Sequence, residues 1–278
     1  MHTPNSSQPN NSSSRQPVWF LPHGAGPCFF MEWQPADAWL AMRTFMQQIP
    51  HTLPQPPQAI LCISAHWIEN SFTLGSGAQP SLLYDYYGFP PHTYQLSYPA
   101  AGAPWLAQRA AELLQQAAIP AQQNPSRGFD HGMFIPLKVI FPAAQIPVVQ
   151  LSLQASMDPR LHLQAGRALA PLREQGVAII GSGMSFHNMR GYGKPPFAPI
   201  SDRFDQWLCT TVEAHAELRA ARLCDWQQAP EAHLCHPPGA EEHLIPLMLI
   251  AGAAGDDPGK QVFSDRVMET TLSAFRFA

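Results

Sequence analysis

The sequence predicts an α/β fold, a single domain with a central mostly parallel or mixed sheet flanked by helices. Short apolar runs rich in β-branched residues recur along the chain and read as fully buried strands, and longer segments with helical periodicity separate them. The 30 prolines gather between these periodic segments, which implies rigid, ordered loops around a regular centre.

Residues 1–16, MHTPNSSQPNNSSSRQ, are polar and low in complexity and are expected to form a disordered tail. They carry neither the apolar centre of a signal peptide nor the Arg-rich pattern of a transit peptide. Buried strands are predicted at 18–21, 59–64, 147–153 and 177–181, each ending in a polar or glycine-rich loop. Helices are predicted at 104–118, 159–175, 201–221 and about 241–254. The segment 267–277 reads as a last strand or a short helix. No linker or internal repeat interrupts 17–278, which is therefore expected to be one domain.

Composition narrows the function. Hydrophobic residues at 45% supply a substantial core, whereas charged residues at 13% and a net charge of -4 leave no basic surface for nucleic acid or anionic lipid. Cys28, Cys62, Cys209, Cys224 and Cys235 form no CxxC pair, which argues against a zinc ribbon and a disulfide framework and fits a reducing cytoplasm. No apolar run reaches membrane-spanning length without a proline or polar interruption.

The histidines carry the chemistry. His23 ends the first predicted strand in LPHGAG, His66 ends the second in ISAHW, and His187 follows a third in GSGMSFH. Ligands of α/β sheets bind outside the carboxyl ends of the strands, so three histidines converge on one edge. One such histidine is ordinarily a packing residue; three on independent strand ends are poorly explained that way. His131 in DHGMFIPL and His243 in EEHLIPL precede apolar segments containing Ile-Pro-Leu. Proline belongs in a first helical turn, so both histidines are expected at helix N-termini, where the dipole keeps an imidazole neutral. The plainer alternative is a cap by Asp130 and dipole pairing by Glu241 or Glu242. Neutral imidazoles suit zinc, iron, copper or nickel rather than magnesium or calcium. There is no HExxH pair, so every ligand would come from a different segment.

The ordered motifs PHGAGP, SAHW, YDYYGFP, GFDHGMFIPL, GSGMSFHN and HPPGAEEHLIPL resemble the class III (LigB-type) extradiol ring-cleavage dioxygenases, in their 4,5-DOPA dioxygenase branch. The resemblance runs from about residue 18 to 253. It implies a LigB-like domain and an enzyme that opens a catechol such as L-DOPA beside its two hydroxyls, inserting both atoms of O2 to give a muconic semialdehyde-type product. It further implies Fe(II) for activity, with Zn(II) an alternative occupant in purified protein. By motif position His23, His66 and His243 match metal ligands. His187 matches a residue counted as a ligand in zinc-bound members and as the acid/base in the dioxygenase mechanism; His131 matches a second catalytic histidine. More distant members use glutamate as third ligand, so Glu241 and Glu242 compete with His243 for that place.

Two substrate contacts are expected. The aromatic loop at 84–94 can stack on a catechol ring, with Tyr84 reaching a substituent, or its tyrosines can simply pack. Arg190 is a candidate partner for a substrate carboxylate. The loop Gly181–Ser182–Gly183 lacks the Lys-Ser/Thr of a phosphate-binding loop and is expected to let the backbone turn beside the metal. The rival readings are a zinc hydrolase on the same scaffold, with metal-bound water as nucleophile, and a Memo-like non-enzymatic binding protein. Five retained histidines argue against the latter.

Overall fold

The computed structural model describes residues 15–278. Its eight strands are β1 (Val18–Pro22), β2 (Ala59–Glu69), β3 (Phe72–Gly75), β4 (Ala121–Asn124), β5 (Val148–Gln154), β6 (Val177–Gly183), β7 (Gly259–Val267) and β8 (Thr270–Phe277). They form one sheet in the order β4-β3-β5-β2-β6-β1-β8-β7. β5, β2, β6 and β1 run parallel at the centre, while β8 and β7 extend it antiparallel on one side and β3 joins antiparallel on the other. The four predicted strands are these central ones, and all but the ends of β2 and β5 are buried. Burial on both faces removes polar alternation from β1 and most of β2, whereas β5, VVQLSLQ, keeps buried Gln150 and Ser152.

The helices are α1 (Leu40–Gln48), α2 (Pro104–Gln116), α3 (His131–Ile140), α4 (Pro159–Leu169), α5 (Ala198–Val212), α6 (Ala216–Cys224), α7 (Ala232–Cys235) and α8 (Ile245–Ala254). The helix expected across 201–221 is two: α5 ends at Val212 and His215 caps α6, its Nδ1 accepting from Leu218 N–H. The C-terminal segment is a strand paired to β1 and β7. β4 and β7 escaped the sequence because both are sheet-edge strands with partly exposed, polar-rich sequences. Among the described residues, no helix is long and apolar enough to cross a membrane, and all five cysteines are free.

Residues 1–14 of the expected tail lie outside the described residues. Arg15 and Gln16, assigned to the same tail, are held by the domain. Gln16 is buried, its carbonyl accepts from the Arg173 guanidinium at 2.7 Å, and Arg15 pairs with Glu174 and Asp257.

Two helices set the site. All residues of α8 are buried, and it lies against α4 at backbone contact distance. A Cβ at Gly252 would fall 2.1 Å from the Leu163 carbonyl oxygen, so only glycine permits that approach. Its lead-in reaches β6 the same way: a Cβ at Gly183 would meet the His243 carbonyl oxygen at 2.1 Å. The glycines of GSG therefore serve close approach of the His243 segment, while Met184 N–H donates to that same carbonyl. In α3, Asp130 is the N-cap, its side chain accepting from Met133 N–H. Pro136 corrects the expectation of a first-turn proline, for it is the sixth residue of α3.

Candidate metal centre

The parallel neighbours β2, β6 and β1 bring their carboxyl ends together, and His23 follows β1 directly. His66 lies within β2, which continues to Glu69 instead of ending near residue 64; its register to β5 shifts between Ile63 and Ile68. Such an irregularity re-aims a side chain, here toward the strand ends. His66 Nε2 lies 3.1 Å from His23 Nε2, and the imidazoles of His23, His66 and His243 present ring nitrogens within 4.8 Å of one another.

Hydrogen bonds behind the rings fix which nitrogen faces the centre. Proline at 136 has no N–H for the carbonyl four residues earlier, that of Gly132. Ser182 Oγ donates to that freed carbonyl. Its lone pair then accepts from His23 Nδ1–H at 3.1 Å, leaving His23 Nε2 unprotonated toward His66. His243 Nδ1–H donates to Glu242 Oε1 at 2.8 Å, which likewise turns a bare Nε2 outward. Glu242 so backs His243 and also stands with His187 and His243 in a second candidate ligand group, whereas Glu241 belongs to none of the candidate groups. Partners of this kind hold ring orientation and raise ligand basicity.

Burial and the surrounding histidines hold His23 and His243 well below the usual imidazole range, and bring His66 down to about 3. These rings are neutral at pH 7, as metal ligation requires. Nitrogen–metal bonds of about 2.1 Å meeting at about a right angle put two nitrogens about 3 Å apart, the spacing of His23 and His66, and three neutral imidazoles suit a transition-metal ion.

Two more histidines complete the cluster. His187 stacks on His243 with ring centroids 3.3 Å apart, and its Nδ1 stands 3.8 Å from Glu242 Oε1. It falls outside the His23–His66–His243 group, and burial with the nearby His131 lowers it to about 4. His131 directs both its backbone N–H and Nδ1–H to Asp85 Oδ1, at 2.9 and 2.8 Å. Burial opposes the charge on Asp85, but the His131 bonds outweigh it and hold the carboxyl below its ordinary value. The ring centroids of His131 and His66 are 3.9 Å apart. Below them Asp130 joins Ser64, Arg127 and Gln150, fastening the start of α3 to β2 and β5.

All five histidines open onto one cavity of about 300 Å³. The outer wall includes Phe89, from the aromatic loop expected there, and Trp33 and Trp39, which sequence reasoning missed. Asp85, Ser182 and Glu242 were also missed as orienting partners; their only signal was position beside motif residues. The expectation for Tyr84 is corrected: its hydroxyl donates to the Leu96 carbonyl at 2.6 Å and its ring packs on Tyr86 and Phe134, away from the cavity lining. Phe89 is the ring of that loop that reaches the cavity. Arg190 is exposed and does not line it either; of the two exposed residues in the turn after His187, Met189 reaches the cavity lining and Arg190 does not.

Comparisons with known proteins agree with this geometry. The family model for the catalytic LigB subunit of aromatic ring-opening dioxygenase matches residues 17–276. Dioxygenase tasH of Hapsidospora irregularis is 36% identical over 93% of this chain and 84% of its own length. The 4,5-DOPA dioxygenase extradiol of Portulaca grandiflora is 36% identical over 86% of each chain, and that of Escherichia coli K12 is 34% identical over 89% of each. The crystal structure of an uncharacterized E. coli K12 protein, 29% identical, superimposes with a TM-score of 0.77 over 95% of this chain and all of that one. With a family match spanning the domain and a histidine-rich candidate metal site at its strand ends, the chain belongs to the LigB family of aromatic ring-opening dioxygenases, in its extradiol branch.

Proposed function

We propose that this protein uses Fe(II), held by His23, His66 and His243, to open a catechol ring beside its two hydroxyls, yielding a muconic semialdehyde-type product. L-DOPA is the first catechol to assay, given the names of the relatives. The observation that carries the reading is the set of three imidazoles, two with hydrogen-bonded Nδ1 atoms, beside two further histidines in one cavity.

Bound Fe(II) would acidify the catechol hydroxyls and hold O2 beside the ring. His187, neutral and facing the same cavity, takes a proton from a catechol hydroxyl. His131, oriented by Asp85 and lining the same cavity, is the proton donor assigned to the later step. The aromatic wall holds the ring plane and keeps water from the reacting carbons. Both oxygen atoms of O2 end in the product, so no further oxidant or reductant is required.

The test is oxygen uptake by anaerobically reconstituted protein. Fe(II)-loaded protein is expected to consume O2 with a catechol and to form a yellow product, and Zn(II)-loaded protein is not. If neither form consumes O2 with any of a panel of catechols, the reading fails; hydrolytic turnover by the zinc form alone would replace it with a hydrolase.

A further inference from the structure

Beyond the histidines the cavity becomes apolar. Trp33, Trp39, Phe89, Met189, Tyr192 and Met268 form this outer part. Trp33 Nε1–H donates to the Cys28 carbonyl at 2.9 Å and the Tyr192 hydroxyl to the Phe186 carbonyl at 2.8 Å, while Trp39 Nε1–H is buried without a partner among the described residues. Met189 is 71% exposed and Met268 37%, which places both at the mouth. The rim is tied across, with Gly193 N–H donating to the Met268 carbonyl at 2.6 Å. Among the described residues, no lysine or arginine lines the cavity. The nearest carboxylates, Asp85 and Glu242, stand directly behind His131 and His243.

We infer that the preferred catechols carry an apolar, uncharged ring substituent, and that Met189 and Met268 are specificity-determining residues which receive it. The inference rests on the catechol reading above and deepens it, ranking L-DOPA, whose side chain is charged, below an alkyl catechol. With its two hydroxyls directed at the histidines, a catechol points its far substituent at the mouth. An alkyl chain there gains burial against aromatic faces and against thioethers that adapt to its shape. A carboxylate there gives up hydration with no cation among the lining residues to meet it, opposite the negative faces of the rings.

The experiment compares 4-propylcatechol with 3-(3,4-dihydroxyphenyl)propanoate, close in length and different in charge, using unsubstituted catechol as reference. For the Fe(II)-loaded protein, kcat/KM is expected to favour the propyl compound by about tenfold or more. Calorimetric titration of the same pair into Zn(II)-loaded protein should give the same order without turnover. Met189→Lys and Met268→Lys each add a cation at the mouth and are expected to shrink the preference. Equal or better use of the carboxylate by the wild-type protein overturns the inference, as does a preference that neither lysine variant alters. Failure of all three catechols to support O2 uptake would instead remove the catechol reading itself, so the two failures are distinguishable.

Discussion

Helices α3 and α8 share the tripeptide Ile-Pro-Leu a few residues after a histidine, yet the proline is the sixth residue of α3 and the second of α8. In α8 the missing N–H belongs to a first turn, where no intrahelical acceptor exists, so Pro246 leaves nothing unpaired. In α3 the missing N–H frees the Gly132 carbonyl, and Ser182 takes it. The same three residues therefore start one helix and, in the other, give Ser182 the orientation that sets His23. Their histidines differ as well. His243, ahead of α8, belongs to the three-imidazole group, whereas His131, the first residue of α3, is backed by Asp85. Local sequence is thus a weak guide to the part a residue plays, because the partner across the fold decides it.

This contrast is most severely tested by removing each histidine. His243→Ala is expected to abolish stoichiometric metal binding, while His131→Ala keeps it and loses roughly 10²–10⁴-fold in turnover, the usual worth of a placed acid/base. Metal analysis beside oxygen-uptake rates separates the two. If His131→Ala also emerges without metal, the division of labour between the helices collapses.

Ser182→Ala comes next. It strips the acceptor from His23 Nδ1–H and is expected to weaken metal binding about 10–100-fold, measured by chelator competition. Affinity within twofold of wild type would show that Ser182 does not orient His23.

The ground beneath α8 has its own pH dependence. On α4, buried His162 donates from Nδ1–H to the Asp158 carbonyl and accepts from Gln154 N–H at Nε2, so it is held neutral and burial lowers it to about 4. Its folded value is depressed below the ordinary 6.5. The unfolded chain therefore binds the proton first, and stability is full above about 6.5 and is lost as pH falls through about 4. At pH 5.5 the loss is about 1.4 kcal/mol. Urea unfolding at pH 7.5 and 5.5 should show His162→Gln with a smaller acid loss than wild type; an identical loss would assign the dependence to other groups.

The smallest effect is expected from Pro136→Ala, which restores an N–H to compete with Ser182 for the Gly132 carbonyl. Metal affinity should fall by about fivefold or less, below the Ser182→Ala effect. An unchanged affinity would detach the proline from the site.

What the sequence determined by itself was the buried centre of the sheet and the identity of the five histidines. Strands β1, β2 and β6 begin as apolar runs because both faces are covered, β5 interrupts its run with buried Gln150 and Ser152, and a histidine near a strand end is visible where the run stops. Edge strands such as β4 left no comparable mark, since exposed polar residues pattern like loops. Only the tertiary structure decided which nitrogen each histidine presents, because Ser182 lies 159 residues from His23 and Asp85 lies 46 from His131. It also turned Tyr84 away, left Arg190 in solvent, and built the cavity mouth from Met189 and Met268. Tautomer, orientation and cavity shape depend on contacts between distant segments, and no local pattern in the chain encodes those.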